Sequence, residues 1–102
     1  MLNQIVLVGR LVNEPTIEEN ESGKKVGIIS LAIPRSFKNS NGEYDTDFVD
    51  ITLWNGIAEN TIQYCKKGDV VGVKGKIQSH EDKSISLVAE KVTFLSSKRS
   101  ED

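Results

Sequence analysis

The sequence predicts an all-β fold with one helix: a five-stranded barrel whose helix joins the third and fourth strands. Three observations carry this. Short runs rich in Val, Ile and Thr recur between clusters of Gly, Asn, Ser and Asp, the spacing of a small sandwich or barrel. One stretch, Ile57 to Lys67, replaces that rhythm with an apolar stripe at helical spacing. The chain has 102 residues, enough for one domain with a modest core and too few for two. Three strands, a helix and two strands is the connectivity of the Greek-key OB barrel. On element order alone, another small barrel with a helical plug remains the alternative.

The first strand is read over Asn3 to Val12, with Ile5, Leu7 and Leu11 on one face and Val6, Val8, Arg10 and Val12 on the other. A small barrel covers only the inner face of a strand, so the outer valines point to an oligomer interface. Gly9 in mid-strand predicts a bend or bulge. An acidic stretch around Glu14-Pro15 and a turn at Glu21-Ser22-Gly23 lead to a second strand, Lys24 to Ile33, ended by Pro34. Arg35 to Thr46 then reads as a long polar loop containing Phe37, Lys38, Tyr44 and the Asn41-Gly42 turn signal.

The third strand, residues 47 to 54, alternates Val49, Ile51 and Leu53 with Phe48, Asp50, Thr52 and Trp54. The aliphatic trio marks the core. Asp50 and Thr52 mark the other face as wet, yet Phe48 and Trp54 share it. Flat rings on a solvated sheet are what unstacked bases bind, at about 1–3 kcal/mol per base. The competing reading is that a loop or a second subunit covers them.

Asn55 is expected to cap the helix, with Ile57, Ala58, Thr61, Ile62 and Cys65 as its apolar stripe. Lys66 and Lys67 then complement the helix dipole in the last turn, and Gly68 follows as C′ residue; phosphate contact is the alternative for the two lysines. A fourth strand, Val70 to Ser79, places Val71, Val73 and Ile77 inward and Lys74, Lys76 and Gln78 outward, with Gly72 and Gly75 easing its curvature. His80 to Lys83 turns into the last strand, Ser84 to Leu95. The barrel domain is thus residues 1–95, and 96–102 a short polar tail expected to fray.

Thirteen Lys and Arg against fifteen Asp and Glu leave a net charge of −2, so a nucleic-acid partner must depend on local charge. The charge is polarised: Glu14, Glu18, Glu19 and Glu21 cluster early, Lys66, Lys67, Lys74 and Lys76 later. With Cys65 the single cysteine and His80 the single histidine, no internal disulfide, zinc site or histidine-based triad can be assembled. Cys65 reads as a small core residue and His80 as a hairpin tip. Glu43, Asp45, Asp47 and Asp50 are the one carboxylate cluster; a metal-dependent nuclease would need them to converge, and Asp47 and Asp50 alternate to opposite faces. No cofactor, resident metal or small-molecule substrate is expected. The N-terminal apolar run is too short for a signal peptide, and nothing approaches the ~20 residues of a membrane span, which makes the cytoplasm the expected compartment.

Several segments resemble bacterial single-stranded DNA-binding proteins: Met1-Leu2-Asn3-Gln4-Ile5-Val6-Leu7-Val8-Gly9-Arg10-Leu11, the run from Ser30 to Phe37, Asp47-Phe48-Val49 with Trp54, Ala58-Glu59-Asn60, the run from Tyr64 to Gly68, and Val73-Lys74-Gly75-Lys76-Ile77. The resemblance covers nearly the whole chain. It implies a homo-oligomer, usually a tetramer of OB folds, with a dimer as the alternative. It places Phe37, Phe48 and Trp54 at the family's base-contacting positions and Arg10, Arg35, Lys74 and Lys76 along a phosphate track; Lys38, beside Phe37, completes the DNA-binding set. Such a protein binds and protects single strands in replication, recombination or repair, and is nucleoid-associated when bound. Two departures stand out. The Ser79-His80-Glu81-Asp82-Lys83 hairpin is short, acidic and lacks an aromatic, and Ser100-Glu101-Asp102 carries no acidic-hydrophobic tip of the kind relatives use to recruit partners. These leave a protein-interaction module, similar to the family's short primosomal paralogue, as the second reading.

Overall fold

The computed structural model describes residues 1–96 and contains seven elements. They are β1 (Ile5–Leu11), β2 (Thr16–Glu19), β3 (Lys25–Lys38), β4 (Tyr44–Trp54), α1 (Asn55–Tyr64), β5 (Val70–Ser79) and β6 (Ile85–Ser96). Neighbours run β1-β5-β6-β4-β3-β2, and a further pairing of β1 with β3 at Arg10↔Ala32 and Leu11↔Leu31 closes five of the strands into a barrel. All pairs are antiparallel except β4 with β6, which meet in parallel at Ile51↔Leu87 and Thr52↔Val88. The expected strand–helix–strand order therefore holds. The addition is β2, four residues of the acidic stretch that pair along the outer edge of β3.

Alternation explains the core. Leu11, Ile29, Leu31, Ile51, Leu53, Val71 and Val73 are fully buried, each contributed by the inward face of its strand. The helix seals one end of the barrel with Ala58, Thr61 and, just past its last turn, Cys65, all buried. Gly9 marks the closure point rather than a bulge: a Cβ there would lie 2.8 Å from Ile33 Cγ1 and 2.9 Å from the Ala32 carbonyl oxygen. The β1–β5 register runs through it unbroken. At Gly75 the chain does slip, and a Cβ would overlap the Val88 carbonyl.

Four local expectations are corrected. Pro34 does not end a strand; β3 continues to Lys38 and pairs Pro34 with Thr46, so most of the expected loop is a hairpin turning at 39–43. Proline is tolerated because, among the described residues, no strand flanks the other edge of β3 past Ala32. Asn39 closes the turn, its Oδ1 accepting from the backbone of Asn41 and Glu43. Asn55 does not cap α1. Trp54 occupies the cap position without a side-chain bond, and Asn55 Oδ1 instead accepts from the Lys25 amide at 3.1 Å. Lys66 and Lys67 lie outside the helix, which ends at Tyr64 as Cys65 turns extended; the buried Asp69 carboxylate accepts the Lys66 amide at 2.8 Å and bends the chain away. Ile77, expected inside, is 41% exposed because the β5–β6 ribbon projects past the barrel there. Of the expected tail, 97–102 lies outside the described residues.

Candidate nucleic-acid interface

Cross-strand partners stand on the same side of a sheet, so register assigns each candidate to a face. Phe48 is opposite Ala32, and Ala32 is opposite Arg10. Two residues on, Asp50 is opposite Ser30, whose hydroxyl donates to Asp50 Oδ1 at 2.5 Å. Thr52 is flanked by Ile28 on one side and Val88 on the other, and Val88 is opposite Lys76. Trp54 is opposite Val26, and Val26 is opposite Glu18. The outer face of β4 therefore carries two aromatic rings about 20 Å apart along the strand, with Arg10 and Lys76 each two strand spacings, about 10 Å, to either side.

Phe48 is 68% exposed and Trp54 37% exposed. Among the described residues no loop covers Phe48, and the small Ala32 beside it leaves the ring face open. Trp54 is more enclosed, held where β4 turns into α1. Phe37 is exposed in the irregular part of β3 where the register slips between Pro34 and Lys38. Lys38 stands opposite Tyr44, its Nζ 5.9 Å from the ring centroid, within the range of a cation–π contact.

The cations divide into two groups. Arg10 Nη1 donates to the Gly68 carbonyl oxygen at 2.6 Å. Arg35 grips Asp47 through Nη2 at 2.9 Å and Nε at 3.2 Å, with Asp45 3.9 Å away. Its hydrogen bond and charge hold the Asp47 carboxyl below the usual range, and Asp47 raises the guanidinium in return. Asp47 alternates with Phe48, so this pair lies on the side of the ribbon away from the Phe48 ring. Lys74 and Lys76 are exposed and form no ion pair among the described residues. Lys74 stands between Val6 and Lys91.

Three neighbours escaped the sequence reading. Glu18 shares a row with Trp54, Lys91 shares one with Lys74, and Tyr44 backs Lys38. Each depends on strand register, which no local pattern in the sequence encodes. The carboxylates do not converge: Asp47 serves Arg35, Asp45 accepts from Asn39, and Asp50 binds Ser30. No group of three His, Cys, Asp or Glu placed to hold a metal occurs among the described residues. His80 sits at the hairpin tip with Nε2 2.7 Å from Ser86 Oγ. Asp82 beside it accepts from the Ser84 hydroxyl and amide, which keeps its carboxyl below the usual range. No described helix is long and apolar enough to cross a membrane.

Residues 2–95 match the Single-strand binding protein family. Single-stranded DNA-binding protein B of Bacillus subtilis is 49% identical over 79 residues, 78% of this chain and 70% of that protein. Single-stranded DNA-binding protein 3 of Listeria innocua is 38% identical over 107 residues, 97% of this chain and 67% of that protein. The barrel superimposes on the crystal structure of the single-stranded DNA binding protein from Thermus aquaticus with a TM-score of 0.80 at 23% identity. That alignment covers 95% of this chain but 52% of the Thermus chain, so this chain spans about half its length.

Proposed function

The chain belongs to the single-strand binding protein family, and from that premise we propose that it binds single-stranded DNA with little sequence preference, protecting strands exposed in replication, recombination or repair. The observation that carries the proposal is the exposed Phe48 ring on the outer face of β4, in one strand with Trp54 and bordered by Arg10 and Lys76. Stacking is sequence-tolerant because every base has a π-face, and the flanking cations track phosphate. Phe37, Lys38 and Lys74 extend this track along the β3–β4 ribbon and β5, whereas Arg35, on the far side of the ribbon, would join it only by releasing Asp47. The activity is binding, with no catalytic step, in the cytoplasm and on the nucleoid. Titration with labelled oligo-dT, with and without Mg²⁺, tests it: saturable binding without cleavage is expected, and no binding at micromolar protein would overturn it.

The protein-interaction reading draws on one specific feature, the β5–β6 hairpin, which carries no Phe, Tyr or Trp and sets Glu81 and Asp82 against the single lysine Lys83. Failure of oligo-dT binding would favour it.

Assembly belongs to the same proposal. Val6 and Val8 are 68% and 53% exposed on β1, whose edge facing β3 is paired only at Arg10 and Leu11. An apolar strand with an open edge matches a second copy of itself across a two-fold axis, giving a dimer that pairs into the tetramer implied by the family. Val6→Glu with Val8→Glu is expected to lower the mass measured by light scattering. A monomeric unmutated chain at micromolar concentration would refute it.

A further inference from the structure

Away from Lys74 and Lys76, β2 and α1 enclose a groove of about 370 Å³ lined by Ile17, Glu18, Glu19, Lys25, Glu59 and Ile62. Its floor is apolar: Ile17 and Ile62 are half-buried, Ile17 facing the helix from a strand that lies tight on β3 at Gly27. Its rim carries three carboxylates against one ammonium, and Lys25 Nζ is already engaged by Glu59 Oε2 at 2.5 Å. That bond and charge raise the lysine's affinity for its proton, with a smaller push from Glu19 opposite it on β2, while Glu18 and Glu19 form no ion pair among the described residues. Glu21, just past β2, adds to the same negative field, whereas Glu14 Oε2 accepts the Lys67 amide at 3.3 Å.

An apolar floor under an acidic rim fits one ligand chemistry: an aliphatic side chain flanked by Lys or Arg. Phosphate and anionic lipid are repelled by the same rim. We infer that this groove docks a basic, leucine-bearing segment of a partner protein at the β2–α1 edge, where Glu18, in the row of Trp54, borders the candidate DNA track. The volume, within the lower range of pockets that hold small ligands, accommodates one large aliphatic side chain. The rim then supplies charge-assisted hydrogen bonds to the flanking cations. Specificity comes from the pair of requirements, since charge alone attracts any basic peptide and apolar contact alone is weak.

The test uses the whole chain without DNA and two synthetic peptides of equal charge, acetyl-Lys-Arg-Leu-Lys-Arg-amide and the same peptide with Gly for Leu, titrated by NMR chemical shifts. The leucine peptide should bind about tenfold more tightly and shift the amides of 17–19 and 59–62. Glu19→Lys, an exposed position with no place in the DNA rows, should weaken it about tenfold. Ile62→Ser, checked for native circular dichroism, should erase the difference between the peptides. Equal binding of both peptides, or shifts spread over the acidic surface without the two isoleucines, would overturn the docking site and leave only diffuse attraction. Oligo-dT titration of Glu19→Lys runs in parallel and reports on the DNA proposal independently.

Discussion

Removing the Phe48 ring separates stacking from stability more cleanly than any other change. Phe48 is 68% exposed with only Ala32 opposite it, whereas Trp54 is 37% exposed. Phe48→Ala therefore leaves the core residues Val49, Ile51 and Leu53 in place and should change folding stability by no more than about 0.5 kcal/mol. If a base stacks on the ring, the same change costs about 1–3 kcal/mol of affinity, the general magnitude for OB-fold single-strand binders. That is a loss of about fivefold to somewhat over a hundredfold. Trp54→Ala should lose comparable affinity and stability as well. A fully buried aromatic truncation costs about 3–5 kcal/mol, so this partly enclosed ring should contribute roughly 1–2, a fall in Tm of about 4–10 °C. Trp54 is the single tryptophan, so quenching of its emission by oligo-dT reads binding directly in the Phe48→Ala protein. Wild-type affinity in Phe48→Ala would refute the stacking platform. Loss of the fold in that variant would show that the ring is a structural element after all.

The acidic residues of the outer face set further expectations. Asp50→Asn should tighten oligo-dT binding about two- to fivefold, the effect of removing a unit charge 4–10 Å from phosphate in water, while an amide oxygen still accepts the Ser30 hydroxyl; unchanged affinity would place the DNA elsewhere. Each phosphate neutralised contributes about −0.7 to the slope of log K against log[salt]. Because Arg10 and Arg35 are bonded internally, the slope per subunit should lie between about −1.4 for Lys74 and Lys76 alone and about −3.5 with Lys38, Arg10 and Arg35 as well, and a much steeper value would mean that phosphate contacts dominate. Asp47 and Asp82 have carboxyls held down in the fold by Arg35 and Ser84. They bind fewer protons folded than unfolded, so their contribution is complete above about pH 5, roughly a unit above the ordinary aspartate value, and fades as pH falls through the lower folded values. Tm should be insensitive to these two groups from pH 8 to 5. Asp47→Asn and Asp82→Asn should flatten the acid decline below it, and an undiminished decline would clear both residues.

The sequence by itself determined which way each side chain of β4 points, because alternation is a local property with a period of two. Val49, Ile51 and Leu53 enter the core while Phe48 and Trp54 stay outside, as read. It also determined the helix between the third and fourth barrel strands and the buried position of Cys65. The local signals that failed did so where a distant partner outweighed them. Pro34 reads as a terminator, yet pairing with Thr46 carries the strand on. Asn55 reads as a cap, yet the Lys25 amide claims its side chain. Lys66 and Lys67 read as the last helical turn, yet the buried Asp69 carboxylate draws the chain out of the helix. What only the tertiary structure decided is who stands beside whom: Arg10 two strands from Phe48, Lys76 two strands from Thr52, Glu18 in the row of Trp54, and Arg35 bound to Asp47. Those neighbours come from registers between strands far apart in the chain. Register is fixed by the packing of the whole barrel, and no short window of sequence contains that information.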